Sequence, residues 1–366
     1  MVAIGSGIAS QLIYKPEATY GVAPSLSTNE GLEFKSETFQ LNKTTVQGQG
    51  LHAGGLFDRS ARRVLTNYDV NGGFTIDLPT RFIGNLLQHM TGSFGQTLAT
   101  PTQISTSGVY KSVHQPGTVL GHSLCFQKGV PSVDVASVVE PFTYVGCKIS
   151  DWELSVATGA LAELSITIDG RNELAGAGNG DPLNGSVPTL GTFSTLGDAT
   201  QELSSFHFRQ ATLSTGTPTT TAGLITLGSK VTLGNVTTAD FKETKSLDTG
   251  RYFLGTSGYK AEQIENGFRQ IGGSFTVEWL SAETMYNAFA ADTPLALELD
   301  FVGPIIGATG TNTSLFSLIV PNIKLDGESP KVGGPAIVSQ SISYTALDDE
   351  INAPYQIVYQ SEDVAL

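Results

Sequence analysis

The chain is short of charge, of cysteine and of any recognisable active-site motif. Asp, Glu, Lys and Arg make up only 15% of its 366 residues, so Ser, Thr, Asn and Gln must cover most of the surface. Two cysteines, Cys125 and Cys147, are too few for a disulfide scaffold. Both fall in strand-like segments of one half and read as buried thiols in a reducing compartment rather than as a bridge. Lys and Arg number 20 against 34 Asp and Glu, a net charge of −14. Gripping nucleic acid needs a basic face that neutralises phosphates, and this balance argues against it. It is compatible with an acidic wall that repels DNA, and equally with plain solubility. No apolar run reaches the roughly 18 residues that a membrane helix needs. Residues 1–10 carry neither a basic n-region nor a long apolar stretch, so synthesis and folding in a cytoplasm are expected.

Chemistry is equally sparse. The five histidines, His52, His89, His114, His122 and His207, stand at no metal-ligand spacing, and there is no H-E-x-x-H or C-x-x-C. His89 reads as a helix-surface residue, and His114 and His122 as loop residues. Residues 223–230 (GLITLGSK) place Ser229 between Gly228 and Lys230, which breaks the phosphate-loop order. No nucleophile elbow occurs. The carboxylates Asp348, Asp349 and Glu350 lie in a polar, solvated stretch. The chain therefore reads as a non-enzyme with no cofactor and no metal.

What the sequence does hold is β-structure and repetition. An apolar fraction of 40% supports a real core, and 42 Gly with 16 Pro imply many turns. Residues 72–90 (GGFTIDLPTRFIGNLLQHM) and 272–290 (GGSFTVEWLSAETMYNAFA) share a plan. Each opens on a glycine pair and continues as a strand: Phe74, Thr75, Ile76, Asp77 and Phe275, Thr276, Val277, Glu278. Each then meets a candidate helix cap, Thr80 or Ser281. Helices are expected over 80–91 and 281–291, with Phe82, Ile83, Leu86, Leu87 and Met90, and Met285, Tyr286 and Phe289, at helical spacing. Strands follow at 123–130 and 295–303, then strand pairs within 142–169 and 316–346. Leu164, Ile166 and Ile168 alternate with polar residues, as do Val338, Ile342 and Tyr344. Ahead of the helices, 31–41 and 64–70 flank a polar loop at 42–63. In the second half, 205–214 and 223–233 lead through polar residues 234–264 to 265–279. The spacing is about 200 residues. Two tandem domains are expected, 1–171 and 205–366, joined by a Gly-, Pro-, Asn- and Thr-rich linker at 172–204. The first carries an extra loop at about 93–121.

The run Tyr14-Lys15-Pro16-Glu17-Ala18-Thr19-Tyr20-Gly21-Val22-Ala23-Pro24 resembles the opening of the tail tube proteins of long-tailed, siphovirus-like bacteriophages, where Glu-x-Thr-[Tyr/Phe]-Gly precedes the first strand. The 272–278 segment before a helix resembles them too. The resemblance spans about 10–171 and 205–347, with loose motifs. It implies a mainly β chain of two tandem β-sandwich or partial-barrel tube domains, each flanked by one helix. It also implies a structural virion protein: a major tail tube subunit, made in the host cytoplasm, whose stacked rings form a hollow conduit for DNA ejection. A duplicated domain favours three chains in a pseudo-sixfold ring, with six as the alternative. Partners would be further copies, the tape measure protein, the tail terminator and distal tail proteins, with DNA as non-sticking cargo and no membrane. Arg59, Arg62 and Arg63, on the 42–63 loop, would meet acidic groups on the next ring; the alternative is a solvated basic cluster. Glu153, Ser155, Glu163, Ser165, Thr167, Ser339, Ser341 and Ser343 would face the lumen if the opposite parity fills the core. The 93–121 loop would decorate the exterior or an inter-ring contact. The rival readings are another virion part, a capsid decoration or fibre, and a carbohydrate-binding β-sandwich. Against the last, Trp152 and Trp279 fall in expected strands rather than in sugar-platform loops.

Overall fold

The computed structural model describes residues 7–27, 29–104, 107–131, 139–176, 181–184, 186–193, 204–279, 285–307, 310–327, 329–330, 332–335 and 337–366. The fold is mainly β and sandwich-like, built of antiparallel pairs with two short α-helices.

The first unit stacks two sheets. Its front sheet runs from the edge strands Phe34–Glu37 and Gln40–Gln47 to Arg63–Asp77, then Glu163–Gly170, then the second half of Val139–Ala157. Its back sheet orders Glu30–Leu32, Gln11–Pro16, Leu124–Pro131, the first half of Val139–Ala157 and Asn172–Leu174. One long strand, Val139–Ala157, thus serves both sheets. Residues Thr143–Ile149 are all buried, as expected of a strand covered on both faces. Between the sheets Phe39 packs on Phe74 from the front and on Phe126 and Tyr144 from the back, with ring centroids 5.3–6.0 Å apart. Aromatic side chains bury large areas and dominate such a core.

The second unit repeats the plan. Its front sheet orders Val236–Thr244, Gln270–Glu278, Ser339–Ala346 and the end of Asn312–Asp326. Its back sheet orders Leu224–Thr232, Ala211–Thr221, Leu295–Ile306, the first half of Asn312–Asp326 and Gln356–Ser361. The register fixes the correspondence. Phe74 lies opposite Ile166 and Phe275 opposite Ile342, so Thr75 with Ser165 matches Thr276 with Ser341. This makes Gly72 the partner of Gly273, one residue off the sequence match of the glycine pairs. A Cβ on Gly72 would lie 2.5 Å from the Thr38 carbonyl oxygen, and one on Gly273 would lie 2.2 Å from that of Asp240. Both glycines admit the edge strand's backbone, which explains the signal.

The two front sheets are continuous. Val139–Ala157 pairs with Val236–Thr244 over Asp151↔Thr244 to Ala157↔Thr238. A second junction joins the units: Tyr110–His114 pairs with the C-terminal strand Gln356–Ser361.

Several expectations need correction. Helix α1 spans Gly84–Thr91 and begins after Ile83, not at Thr80. Phe82 has φ +66°, which breaks the helix ahead of that point. The Thr80 hydroxyl instead pairs with Ser204 Oγ at 2.9 Å. Gly92, in the left-handed conformation, closes α1. Helix α2 is described over Met285–Ala290, and the proposed Ser281 cap lies outside the described residues. His89 is buried, not on the helix surface. Residues 93–121 are not merely loop, because they supply the 110–114 strand, which carries His114. The polar run 234–264 hides the strand Val236–Thr244: its alternate residues Ala239, Phe241 and Glu243 are buried, but the acidic Glu243 at a core position breaks the apolar alternation. Trp279 follows its strand and meets Tyr286 edge-on at 6.3 Å. Cys125 and Cys147 are buried free thiols, as the sequence suggested.

The buried histidines give an acid sensitivity. His114 sits between Ser93 Oγ (2.9 Å) and Ser112 Oγ (3.0 Å), and His89 is edge-on to Phe94 at 4.8 Å. Burial lowers both to about 3. A depressed histidine contributes stability above its ordinary value near 6.5 and loses it as pH falls towards 3. At pH 4.5 each would cost about 2–3 kcal/mol. Glu17 and Glu30, raised to about 7 by burial, act oppositely: their contribution is complete below about 4.5 and lost as pH rises through 7. Between pH 6.5 and 4.5 the two histidines and the two glutamates offset each other, so the balance shows on removing one member: a His89→Leu variant is expected to gain melting temperature relative to the parent protein as pH falls from 6.5 to 4.5. An identical slope in that variant would remove His89 from the account.

Candidate assembly surface

The front sheet has one apolar face and one polar face. Strand Ser339–Ala346 shows why: every second residue is buried and the rest are exposed. The apolar parity (Trp152, Leu154, Leu164, Ile166, Phe241, Phe275, Ile342) enters the core. The other parity brings together all eight positions read from the sequence, and none of them is buried. Glu163 lies opposite Ser155, Ser165 opposite Glu153, and Thr167 opposite Asp151. Ser339, Ser341 and Ser343 lie opposite Glu278, Thr276 and Ser274. Asp77, Asp240 and Asp326 join the same face through their pairings with Glu163, Ser155 and Ser343. Carboxylates dominate it. Lys35, 3.4 Å from Asp77, Lys242, opposite Glu153, and Lys324, opposite Thr345, are cations placed on the same face.

The junction between units is pinned by polar groups that no local motif marks. Glu243 is fully buried. It accepts hydrogen bonds from Trp152 Nε1 (2.6 Å), Tyr355 Oη (2.8 Å) and Arg269 Nη1 (3.0 Å), with Lys245 Nζ at 3.6 Å. Burial lowers the Lys245 pKa. Residues 245–269, which link the second unit's edge strand to Gln270–Glu278, fold back over the first unit. There Lys260 Nζ bridges Asp69 and Asp169, the latter at 2.8 Å. Tyr259 stacks on Tyr68 with centroids 4.8 Å apart, under the Arg171 guanidinium. Glu262 pairs with Lys148 at 2.7 Å, and Gln263 Nε2 donates to Asp169 Oδ2 at 2.7 Å.

The corresponding segment of the first unit behaves otherwise. Residues 43–67 form a projecting hairpin whose tip, 48–62, leaves Leu51, Leu56 and Phe57 almost fully exposed. Arg59 and Arg63 are exposed and Arg62 half-buried on it. The Arg62 guanidinium donates to the Gly50 carbonyl, and none of the three has an ion-pair partner among the described residues.

The Glu-x-Thr-Tyr-Gly run proves structural. Glu17 is buried and accepts from Gly21 N–H (2.8 Å), Gly146 N–H (2.8 Å) and Ser123 Oγ (2.6 Å). It thereby ties the N-terminal strand to the point where Val139–Ala157 passes between sheets. Tyr20 Oη reaches the Ala261 carbonyl at 3.2 Å, touching the second unit's arm. Short-range motif reading marks these residues, but apart from Gly21 their partners lie more than 100 residues away.

Among the described residues no group of three or more His, Cys, Asp or Glu is placed to hold a metal, and no helix is long and apolar enough to cross a membrane. What this geometry offers is sheet edges and an acidic face: the fold is that of a structural β-protein whose sheets extend from unit to unit. The family model described as phage tail tube protein matches residues 7–346, and the chain belongs to that family. No curated protein matches the chain. It is accordingly a structural component of the phage tail, a virion part that associates with itself and with other tail proteins.

Proposed function

We propose that this chain is the major tail tube subunit, with tube domains at about 1–171 and 205–366, and that its copies close into rings around a DNA conduit; of the stretch 172–204 read as a linker, Asn172–Leu174 extends the first unit's back sheet and Asp181 is buried against Arg171. The observation that carries the reading is the internal junction. In the first unit, residues 151–157 pair with the second unit's edge strand. The equivalent edge of the second unit, at Lys324–Asp326, has no strand on that side among the described residues, and neither has the outer side of Phe34–Glu37. These two open edges are the counterparts of the two strands that meet inside the chain. An open edge invites pairing, and cyclic repetition removes it. Three chains would then give six domains in a ring.

In this ring the polar face lines the lumen. Glu153, Ser155, Glu163, Ser165, Thr167, Ser339, Ser341 and Ser343, with the neighbouring aspartates, present hydroxyls and negative charge to passing DNA. Such a wall repels phosphates and offers no releasable cationic contacts. Arg59, Arg62 and Arg63 lie on the rim, where they meet acidic groups of the next ring. The tape measure protein would occupy the lumen before ejection, with terminator and distal proteins at the tube ends.

Negative-stain electron microscopy of the concentrated protein tests the reading. Rings or stacked hollow tubes with sixfold end views, at a mass of three chains per ring, are expected. Monodisperse particles of one or two chains across salt and concentration would instead favour a decoration protein. Duplex DNA should show no retention in a mobility-shift assay at about 0.15 M salt; tight, salt-sensitive binding would contradict the acidic lumen.

A further inference from the structure

The two arms of the chain stand at equivalent places but in different states. Residues 245–269 lie over the end of the first unit's front sheet, covering Asp69, Asp169 and Arg171. The register gives the second unit's counterparts. Asn42↔Asp69 matches Thr244↔Gln270, and Asp169↔Lys148 matches Thr345↔Lys324. Leu347 lies two residues past Thr345, as Arg171 lies two past Asp169. At these counterparts the second unit has an open groove of about 590 Å³, lined among others by Gln270, Ile271, Thr345, Ala346 and Leu347. The site that is filled in the first unit is thus empty in the second, while the first unit's arm projects with no contact of its own for its apolar tip.

We propose that residues 43–67 of one copy lie across this groove on the second unit of the neighbouring copy in the same ring, with Leu51, Leu56 and Phe57 as the buried contacts. This rests on the tube reading. The occupant is a second copy of this chain, because the arm leaves an edge strand that, by the internal junction, abuts the neighbour's second unit. The contact chemistry also differs between the two places. Lys260 finds two aspartates in the first unit, whereas the matching positions in the second are Gln270 and Thr345, uncharged. Glu153, Asp240, Lys242 and Arg269 around the groove balance one another in charge. A lysine-bearing arm would find the groove's acids, Glu153 and Asp240, already accompanied by Lys242 and Arg269, whereas an apolar tip finds the exposed Leu347 beside the edges of the core residues Ile271 and Ala346. Desolvating that tip drives the association. The inter-chain contact is therefore apolar where the intra-chain one is ionic, and it lies sideways within a ring, leaving the arginines for the next ring.

A Phe57→Cys/Leu347→Cys double variant tests this, treated as assembled rings with a short bis-maleimide. Cys125 and Cys147 are buried and contribute no background. A contact within the ring yields a covalent ladder that stops at the ring's chain number. A ladder that continues past that number would place the arm on the next ring and overturn the proposal, as would rings that form without any cross-link. A Leu56→Ser/Phe57→Ser variant is expected to raise the concentration needed for assembly at least about tenfold; unchanged assembly also overturns it. If the unmodified protein makes no rings at all, the tube reading itself falls first and the docking with it, which separates the two failures.

Discussion

Replacing Glu243 by leucine is expected to destabilise the folded chain by about 3–5 kcal/mol, the cost of breaking a buried ion pair from one side. The carboxylate is inaccessible and shared by Trp152, Tyr355 and Arg269, with Lys245 alongside. Leucine fills the space but leaves the Lys245 ammonium and the Arg269 guanidinium facing an apolar residue. Arg269 keeps Glu265 at 2.7 Å, so the larger share of the loss falls on Lys245, whose side chain has no exposure. The hydrogen bonds of Trp152 and Tyr355 also lose their acceptor. Because Trp152 belongs to the first unit and Glu243 to the second, the damage concentrates on the junction. Urea unfolding monitored by Trp152 fluorescence in a Trp279→Phe background should show an early transition absent from the same background with Glu243 intact. Glu243→Gln, which keeps an acceptor and loses the charge, should fall between. Unchanged urea midpoints for both variants would show that the network contributes nothing to the junction.

Lys260→Ala is the second large effect, about 3 kcal/mol and local. Lys260 is fully buried between Asp69 and Asp169. Burial already raises the Asp169 pKa despite this partner, so removing the cation leaves two carboxylates close together with little water. Asp169 can take up a proton, which limits the loss. The arm 245–269 should then detach while both sandwiches stay folded. Limited proteolysis should cut within 245–269 at least about tenfold faster, since cleavage follows the population of the open form. Protection equal to that of the parent protein would mean that Tyr259, Glu262 and Gln263 hold the arm without the lysine.

Much of the architecture could be read from the chain. The Phe-Thr-aliphatic-acid strands, the two helices and the long strands after them were legible because side-chain period and burial coincide there. The eight polar positions on the front sheet were legible for the same reason: alternation assigns faces even when the topology is unknown. The edge strand Val236–Thr244 was missed because Glu243, a core residue by position, is acidic by type. The N-terminal elements 11–16 and 30–32 were not recognised as counterparts of 211–221 and 224–232, because in a back sheet buried by neighbours their short runs lack alternation.

By itself the sequence determined the β class, the repeat, the parity of the exposed faces and the acidic overall balance, because each follows from local pattern or composition. The tertiary structure alone decided that Tyr110–His114 belongs beside the C-terminal strand, that Glu243 and Lys260 hold the units together, and that one arm is docked while its counterpart is free. Those outcomes depend on pairs of residues about 90 to 250 positions apart. Their charges and shapes become informative only once folding places them in the same low-dielectric space.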